Sequence, residues 1–408
     1  MLGNLRLKKK LTIIGLLLSI LPLLLVSTLA IIQNNEILNI ASEESERLAH
    51  ADLEHITSGI YSMCKSQQDL LQKTIDNSMK VAVSVVTSHG EISFNDETEQ
   101  WEAVNQYSKS VSAVSLPQMT IGGTPVIKNF DMNQDSFIVD KIKELVGATC
   151  TIFQRMNDNG DMLRISTNVE KLDGNRAIGT YIPAVNPDGK SNPVIKNILE
   201  GKPFTGRAYV VNDWYITAYK PLYDGSSKIT GMLYVGIPQE SVTSLRNAVM
   251  NTKVGETGYV YVLDSSGKYI ISKDGARDGE DISGLKDADG NLFIKEMCDK
   301  TVALKPGEIS QFEYKWKNPG DKAPRNKIVR LMYFEPWDWI IGAGSYDDEF
   351  YKSSNMIAGI GNRCFYTCMA IIGICIILPV FIWLWVANGI TKPLSKSIER
   401  VDAIRSRK

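Results

Sequence analysis

An uncharged stretch from Cys364 to Ala387 places the strongest constraint on how this chain of 408 residues can fold. As a helix it is long enough to cross a hydrocarbon core of roughly 30 Å, so we predict a transmembrane helix over residues 364–387. An excess of lysine and arginine beside a span marks its cytoplasmic side. The basic residues follow the span, which predicts a cytoplasmic C-terminus: Lys392, Lys396, Arg400, Arg405, Arg407 and Lys408.

The N-terminus carries the same signal in reverse order. An apolar run over residues 11–32 is too long for the hydrophobic region of a cleaved signal peptide, and we predict a first transmembrane helix there. Basic residues precede it in a predicted cytoplasmic N-terminus over residues 1–10: Arg6, Lys8, Lys9 and Lys10. The sequence therefore predicts a multi-pass protein of the inner (plasma) membrane, with its middle part extracytoplasmic.

A two-faced helix is predicted after the second span. Pro393 stands where a helix can begin without losing a hydrogen bond, and the apolar residues Leu394, Ile398 and Val401 recur at helical spacing. Residues 388–408 resemble the start of a HAMP domain, which passes motion from membrane helices to an output domain. That resemblance implies cytoplasmic signalling partners, reached through a C-terminal region that is missing from this sequence.

Charge and motifs exclude several classes of function. A net charge of −1 argues against a nucleic-acid surface, so no nucleic-acid partner is expected. No GxSxG, HExxH or GxxxxGK[ST] motif occurs. His50 and His55 are five positions apart, whereas two histidines on one helix face would be four apart. We therefore expect no enzyme, no cofactor and no metal site.

A long extracytoplasmic helix is predicted over residues 33–90. From Gln33 to Val86 there is no proline and a single glycine, Gly59. Apolar residues follow helical spacing: Leu53, Ile56, Ile60, Met63, Leu70, Ile75, Met79, Ala82 and Val86. The helix continues the first span and could carry an axial displacement into the membrane. An apolar stripe of this kind needs a partner, which predicts a homodimer.

Two β-rich blocks with the same order of elements follow, over residues 91–250 and 251–355. In the first block, turn signals separate short strand-like runs: 148–156, 162–168, 214–220 and 232–237. The second block repeats the pattern, and an internal repeat of roughly 110 residues suits two copies of one small domain. The predicted fold class is α+β: a long N-terminal helix and two tandem PAS-like antiparallel-sheet modules, flanked by two transmembrane helices.

The amino-acid sequences of the two blocks resemble those of a known family of sensors. The runs TIFQR, LRISTNV, WYITAYKPLYD and ITGMLYVG are similar to the Cache 3/Cache 2 fusion type of methyl-accepting chemotaxis proteins. The runs GETGYVYVLDSSGKYIIS and YFEPWDWIIGAGSY are similar to Cache 2. The resemblance covers nearly all of residues 45–350. It implies a transmembrane chemoreceptor whose membrane-distal module, 91–250, binds a small molecule, while the membrane-proximal module, 251–355, couples to the second span.

Side-chain alternation in the first block suggests where that molecule binds. Successive strand residues point to opposite faces, so Arg164 is predicted to face away from Leu163 and Ile165. A face that gathers arginine, hydroxyls and aromatic rings suits a small organic anion or an amino-acid-like metabolite. A solvated outer face would alternate in the same way. The predicted ligand-binding residues are Phe153, Arg155, Arg164, Ser166, Thr180, Tyr181, Tyr215 and Thr217.

Other functions remain open from the residues alone. The same sensor could belong to a histidine kinase or a diguanylate cyclase. A periplasmic scaffolding domain without a ligand is a further alternative. The strands of the proximal module indicate a mechanical role. A second pocket in that module would be lined by Tyr259, Tyr261, Asp264, Tyr269 and Lys273.

Overall fold

The structure is a computed structural model that describes residues 7–239, 243–287, 289–318 and 321–405. Parts of both predicted termini, residues 1–6 and 406–408, lie outside the described residues. So do short stretches inside the two predicted modules: 240–242, 288 and 319–320.

A single helix, α1, runs from Leu7 to His89 and passes through Pro22. The predicted first span and the predicted long helix are therefore one continuous element. Its buried residues form a seam along one side: Leu53, Ile60, Cys64, Leu71, Ile75, Met79, Ala82 and Val86. Met63 and Leu70, which the sequence analysis assigned to the stripe, are 43% and 58% exposed, because Cys64 and Leu71 occupy the inward positions.

The first module is built on a sheet whose described strands have the spatial order β3-β2-β1-β6-β5-β4-β9-β8-β7. The strands are β1 Ile92–Asn105, β2 Val111–Ile121, β3 Thr124–Pro125, β4 Thr149–Arg155, β5 Met162–Thr167, β6 Thr180–Ile182, β7 Phe204–Val210, β8 Asp213–Tyr223 and β9 Ile229–Pro238. Neighbouring strands pair antiparallel except β1 and β6, which pair parallel. Two short helices complete the module, α2 Val139–Val146 and α3 Pro193–Leu199.

The second module follows α4 (Thr243–Asn251), and its sheet has the order β10-β11-β15-β14-β13, with β12 paired to β11. These strands are β10 Lys253–Val254, β11 Gly258–Leu263, β12 Tyr269–Ile271, β13 Ser310–Trp316, β14 Arg325–Phe334 and β15 Trp339–Tyr346. Helix α5 spans Phe293–Val302, and the short helix α6 spans Asp347–Phe350. The α+β class and the order of helix and antiparallel sheets agree with the prediction.

One face of each sheet packs on α1, and the two interfaces merge into a single core. Ile216 and Val235 of the first sheet belong to the same buried cluster as Val260 and Ile341 of the second. Polar contacts reinforce the packing: the Nε1 of Trp337 donates to the Oε1 of Gln68 at 2.6 Å. The opposite face of each sheet carries a separate cluster of its own. A ligand site away from α1 would therefore lie on those opposite faces.

The last helix, α7, runs from Lys352 to Arg405 and contains Pro379 and Pro393. It continues through the predicted start of the HAMP segment without a break. It packs along α1 near the N-terminus, where the Nε1 of Trp383 donates to the Oγ of Ser19 at 3.3 Å. Two helices, Thr12–His89 and Asn355–Val401, are long and apolar enough to cross a membrane by length and composition.

Candidate functional site

A buried arginine that pairs with no carboxylate of the described residues marks the face of the first sheet away from α1. Arg164 on β5 is 1% exposed. Its Nη1 donates to the Oγ1 of Thr180 at 2.7 Å, and its Nη2 donates to the Oε1 of Gln106 at 3.1 Å. The guanidinium carbon lies 4.9 Å from the centre of the Phe153 ring. Its Nε has no hydrogen-bond partner among the described residues.

The charge of Arg164 is therefore left uncompensated within the part of the chain that the structure describes. No carboxylate of the described residues pairs with it. The ionisable side chains that influence it most are four tyrosines: Tyr219, Tyr234, Tyr107 and Tyr215. Burial lowers the pKa of the Arg164 guanidinium, because the charged form loses its hydration. A buried charge without an opposite charge is costly to a fold.

An open cavity of about 660 Å³ lies on the same face and shares Gln106 with the arginine. Aromatic rings form much of its wall. The rings of Tyr107 and Tyr209 stack with centres 6.5 Å apart, and the guanidinium carbon of Arg207 lies 3.8 Å from the centre of the Trp214 ring. Flat apolar walls with a few convergent polar groups are typical of small-molecule sites.

Three local structures hold the cavity walls in place. Gln106 and Tyr107 follow β1 in a tight turn, where the Oδ1 of Asn105 accepts from the backbone N–H of Tyr107 at 2.9 Å. Asn192 caps α3 by accepting from the N–H of Val194 at 3.0 Å, which fixes the start of that helix at the cavity. The third wall is the β7–β8 hairpin, which carries Arg207, Tyr209 and Trp214.

The structure brings part of the predicted residue set together. Phe153, Arg164 and Thr180 are in mutual contact through the guanidinium. Tyr215 belongs to the cluster on this face, and burial raises the pKa of its hydroxyl. Thr217 is fully buried and donates to the carbonyl of Gly206 at 2.8 Å, so its hydroxyl is already engaged.

Three predicted residues lie elsewhere. Arg155 turns its guanidinium to the next turn, where it donates to the carbonyl oxygens of Asn157 and Asp158 at 3.0 and 2.8 Å. Tyr181 packs against the core on the α1 side. The hydroxyl oxygen of Ser166 lies 3.1 Å from that of Ser136, at the start of α2.

A β-bulge explains the position of Ser166. In the β4–β5 pairing, Ile152 is opposite Ser166 but Phe153 is opposite Arg164, so β5 holds one extra residue at this point. The bulge shifts the alternation by one, and Arg164 and Ser166 no longer share a face. The sequence analysis assumed a regular strand and therefore placed them together.

Several cavity residues were missed from the sequence. Gln106 and Tyr107 lie in a turn, where period-two alternation gives no signal. Trp214 lies in the predicted run 214–220 but is not among the predicted ligand-binding residues, and it is 42% exposed. Arg207 and Tyr209 alternate with Ala208 on β7, and this pattern could have identified them.

The fold defines the class as an α+β domain with two mainly antiparallel sheets packed on a long helix. The sequence profile of the Cache 3/Cache 2 fusion domain matches residues 39–359, and the chain belongs to this family.

Proteins with known roles show partial similarity to the chain. The methyl-accepting chemotaxis protein McpP of Pseudomonas putida is 27% identical over 153 residues, which is 36% of this chain and 26% of that protein. The sensor histidine kinase MctS of Rhizobium johnstonii is 32% identical over 108 residues, which is 26% of this chain and 23% of that protein. The matched segments thus span about a quarter of each curated relative.

One similar solved structure is the sensory domain of the Campylobacter jejuni chemoreceptor Tlp3 with isoleucine bound. The alignment covers 76% of this chain and 98% of the Tlp3 chain. The sequence identity is 12% and the TM-score is 0.39.

Proposed function

We propose that the chain is the sensor region of a transmembrane receptor that binds a small organic anion or zwitterion in its first module. The observation that carries this proposal is the buried guanidinium of Arg164, which lacks a counter-ion among the described residues and lies beside an aromatic cavity. These residues have a binding role and no enzymatic one. The membership of the Cache 3/Cache 2 fusion family supports the same role.

The arginine has a free edge for a carboxylate. Its Nε is unpartnered, and its Nη2 is held only by the neutral amide oxygen of Gln106. A carboxylate that enters from the cavity can accept from both atoms in two parallel hydrogen bonds, the preferred geometry for arginine. Gln106 must then turn aside or bind the ligand itself. Its shared position makes Gln106 the contact between the arginine and the cavity.

Asp188 distinguishes an amino acid from a simple organic anion. It lines the same cavity, and its side chain is 55% exposed. Its Oδ2 lies 3.7 Å from the Nζ of Lys190, and the ammonium group of a bound amino acid could compete with that lysine for the carboxylate. We expect Asp188→Asn to weaken binding of an amino acid and to leave a monocarboxylate unaffected.

The output of the receptor has two candidates. One relative is a chemotaxis protein and the other is a histidine kinase, so the proposed sensor suits either kind of receptor. In both cases the signal would pass through α1 and α7 as a relative displacement of two membrane helices, and then through the proposed HAMP segment. A ligand shifts such an equilibrium only by binding one of the two states more tightly.

The proposed topology predicts where fused reporters will be active. We expect a cytoplasmic signal from a fusion after Lys408 and an extracytoplasmic signal from an insertion at Gly225, which lies in the exposed turn between β8 and β9. Paired alkaline phosphatase and green fluorescent protein fusions give opposite readouts for the two sides. Cytoplasmic fluorescence from the Gly225 insertion would refute the topology.

A homodimer is proposed from the apolar side chains that α1 leaves uncovered. Ile37 and Ile40 are each 58% exposed. By contrast, a Cβ added at Gly361 of α7 would lie 3.5 Å from the Cδ2 of Leu38, so that residue faces α7. We expect Ile37→Cys and Ile40→Cys to cross-link two copies in membranes when the native cysteines are replaced by alanine. Leu38→Cys is the matched control, and equal cross-linking at all three positions would contradict the proposed interface.

A further inference from the structure

One arginine of the first module lies between its cavity and the second module. Arg207 on β7 lines the cavity, and its guanidinium carbon lies 3.8 Å from the centre of the Trp214 ring. Its Nε donates at 2.9 Å to the Oε1 of Gln239, which directly follows β9. The same side chain therefore contacts the cavity wall and the segment that leads in sequence to the second module.

The charge of Arg207 is influenced by carboxylates of the second module. Burial lowers the pKa of its guanidinium, and the negative charges of Asp338 and Asp264 raise it. The Oδ2 of Asp338 already accepts from the Oγ of Ser265 at 3.1 Å, within its own module. The hydrogen bond of Arg207 goes instead to the neutral amide of Gln239. Hydrogen bonds between two charged groups are stronger than those to a neutral amide, so a closer anion would compete with Gln239 for the guanidinium.

Gln239 lies where both modules meet α1. It is 4% exposed and lines one small cavity together with Trp337 and Trp339 of the second module. The Nε1 of Trp337 donates to the Oε1 of Gln68 on α1 at 2.6 Å. A series of neighbouring side chains thus runs from the first-module cavity to the long helix: Arg207, Gln239, Trp337 and Gln68.

We infer that Arg207 passes the occupancy of the first-module cavity to the second module and to α1. A negative charge in the cavity draws the guanidinium away from Gln239. The released amide changes the packing around Trp337, and this change reaches α1 at Gln68. Packed interfaces switch between discrete arrangements, so the shift of one side chain can select a different packing. Like the proposed function, this route takes the first-module cavity as the ligand site.

Covalent labels of opposite charge take the place of a ligand in the test. Asp188 lines the cavity with a side chain that is 55% exposed, and Asp188→Cys supplies the thiol. The cysteines of the predicted second span are replaced by alanine: Cys364, Cys368 and Cys375. Burial raises the pKa of the other thiols, which keeps them unreactive: Cys64, Cys150 and Cys298. One sample reacts with anionic sulfonatoethyl methanethiosulfonate and the other with cationic trimethylammonioethyl methanethiosulfonate.

Hydrogen–deuterium exchange of the full chain in detergent, read by mass spectrometry, measures the response. We expect the anionic label to speed exchange at least about fivefold relative to the cationic label, the lower end of typical coupling between two sites. The difference should appear in residues 333–341 and in α1 around Gln68. It should vanish there in Arg207→Met. Arg155→Met is the matched control and should keep the difference, because this guanidinium points into a turn.

Equal exchange with the two labels, or a difference that survives in Arg207→Met, overturns the inference. Gln239→Leu tests the next step: the labels should still differ in β7 and β8 but no longer in α1, and a surviving difference in α1 contradicts the route. The same variant decides if Arg207→Met fails to fold by circular dichroism. Because no ligand is used, failure of the proposed function shows separately, as unaltered ligand binding to Arg164→Met.

Discussion

The Arg164→Met protein is expected to lose binding of the first-module ligand, with a penalty of about 1.5–3 kcal/mol for the lost hydrogen bonds to a charged group. Each 1.4 kcal/mol is about tenfold in Kd, so the affinity should fall roughly 10- to 150-fold. The free energy of unfolding of the unliganded protein should fall by less than the binding free energy. The reason is that the substitution also removes a buried charge that no described carboxylate compensates. Binding and folding are thereby separated in one variant.

The measurement begins with a thermal-shift screen of organic acids and amino acids on the full chain in detergent, followed by calorimetry on the hits. Arg155→Met is the matched control, since this arginine lies on the neighbouring strand but points its guanidinium into a turn. Lys273→Ala in the second module should also leave first-module binding unchanged. The site assignment fails if Arg164→Met binds like the parent, and the anion proposal fails if every hit is neutral or cationic.

The Trp337→Ala protein is expected to show the largest loss of stability, about 3–5 kcal/mol, the range for removing a large buried aromatic side chain. Trp337 is 0% exposed and packs at near right angles against Phe334 and Trp339, with ring centres 5.4 and 4.8 Å away. Its Nε1 also ties the second sheet to α1 through Gln68. The substitution therefore opens a cavity and leaves the half-buried amide oxygen of Gln68 without its donor.

Thermal melting of the full chain, followed by near-ultraviolet circular dichroism, measures this loss. Trp214→Ala removes the same ring from a position that is 42% exposed and should lower the melting temperature far less. Gln68→Leu isolates the hydrogen bond and should cost less than the loss of the ring. If Trp337→Ala melts like the parent, the packing of the second sheet on α1 contributes little to stability.

The sequence predicted the elements well where periodicity is strong. The long helix, the four runs that correspond to β4, β5, β8 and β9, and the antiparallel class follow from spacing that repeats over many residues. The sequence analysis identified no run at β1, β2 or β7. The exact seam of α1 was less clear, because Met63 and Cys64 are adjacent and both can be buried. Only packing against two sheets selects Cys64.

The candidate site was less predictable, for identifiable reasons. Arg164 stood out because a charged residue alternates with Leu163 and Ile165. The bulge in β5 moved Ser166 to the other face, and no local signal in the sequence marks it. Gln106 reaches the site from a turn more than fifty positions away.

The common core of α1 and both sheets limits how this chain can be divided and recombined. The buried cluster includes Leu53 and Ile75 of the helix together with Val235 and Ile341 of the two sheets. A chimaera that exchanges one module but keeps the original helix would set foreign side chains against half of the seam. Exchange of ligand specificity between receptors of this family is therefore best attempted with α1 and both sheets as one cassette.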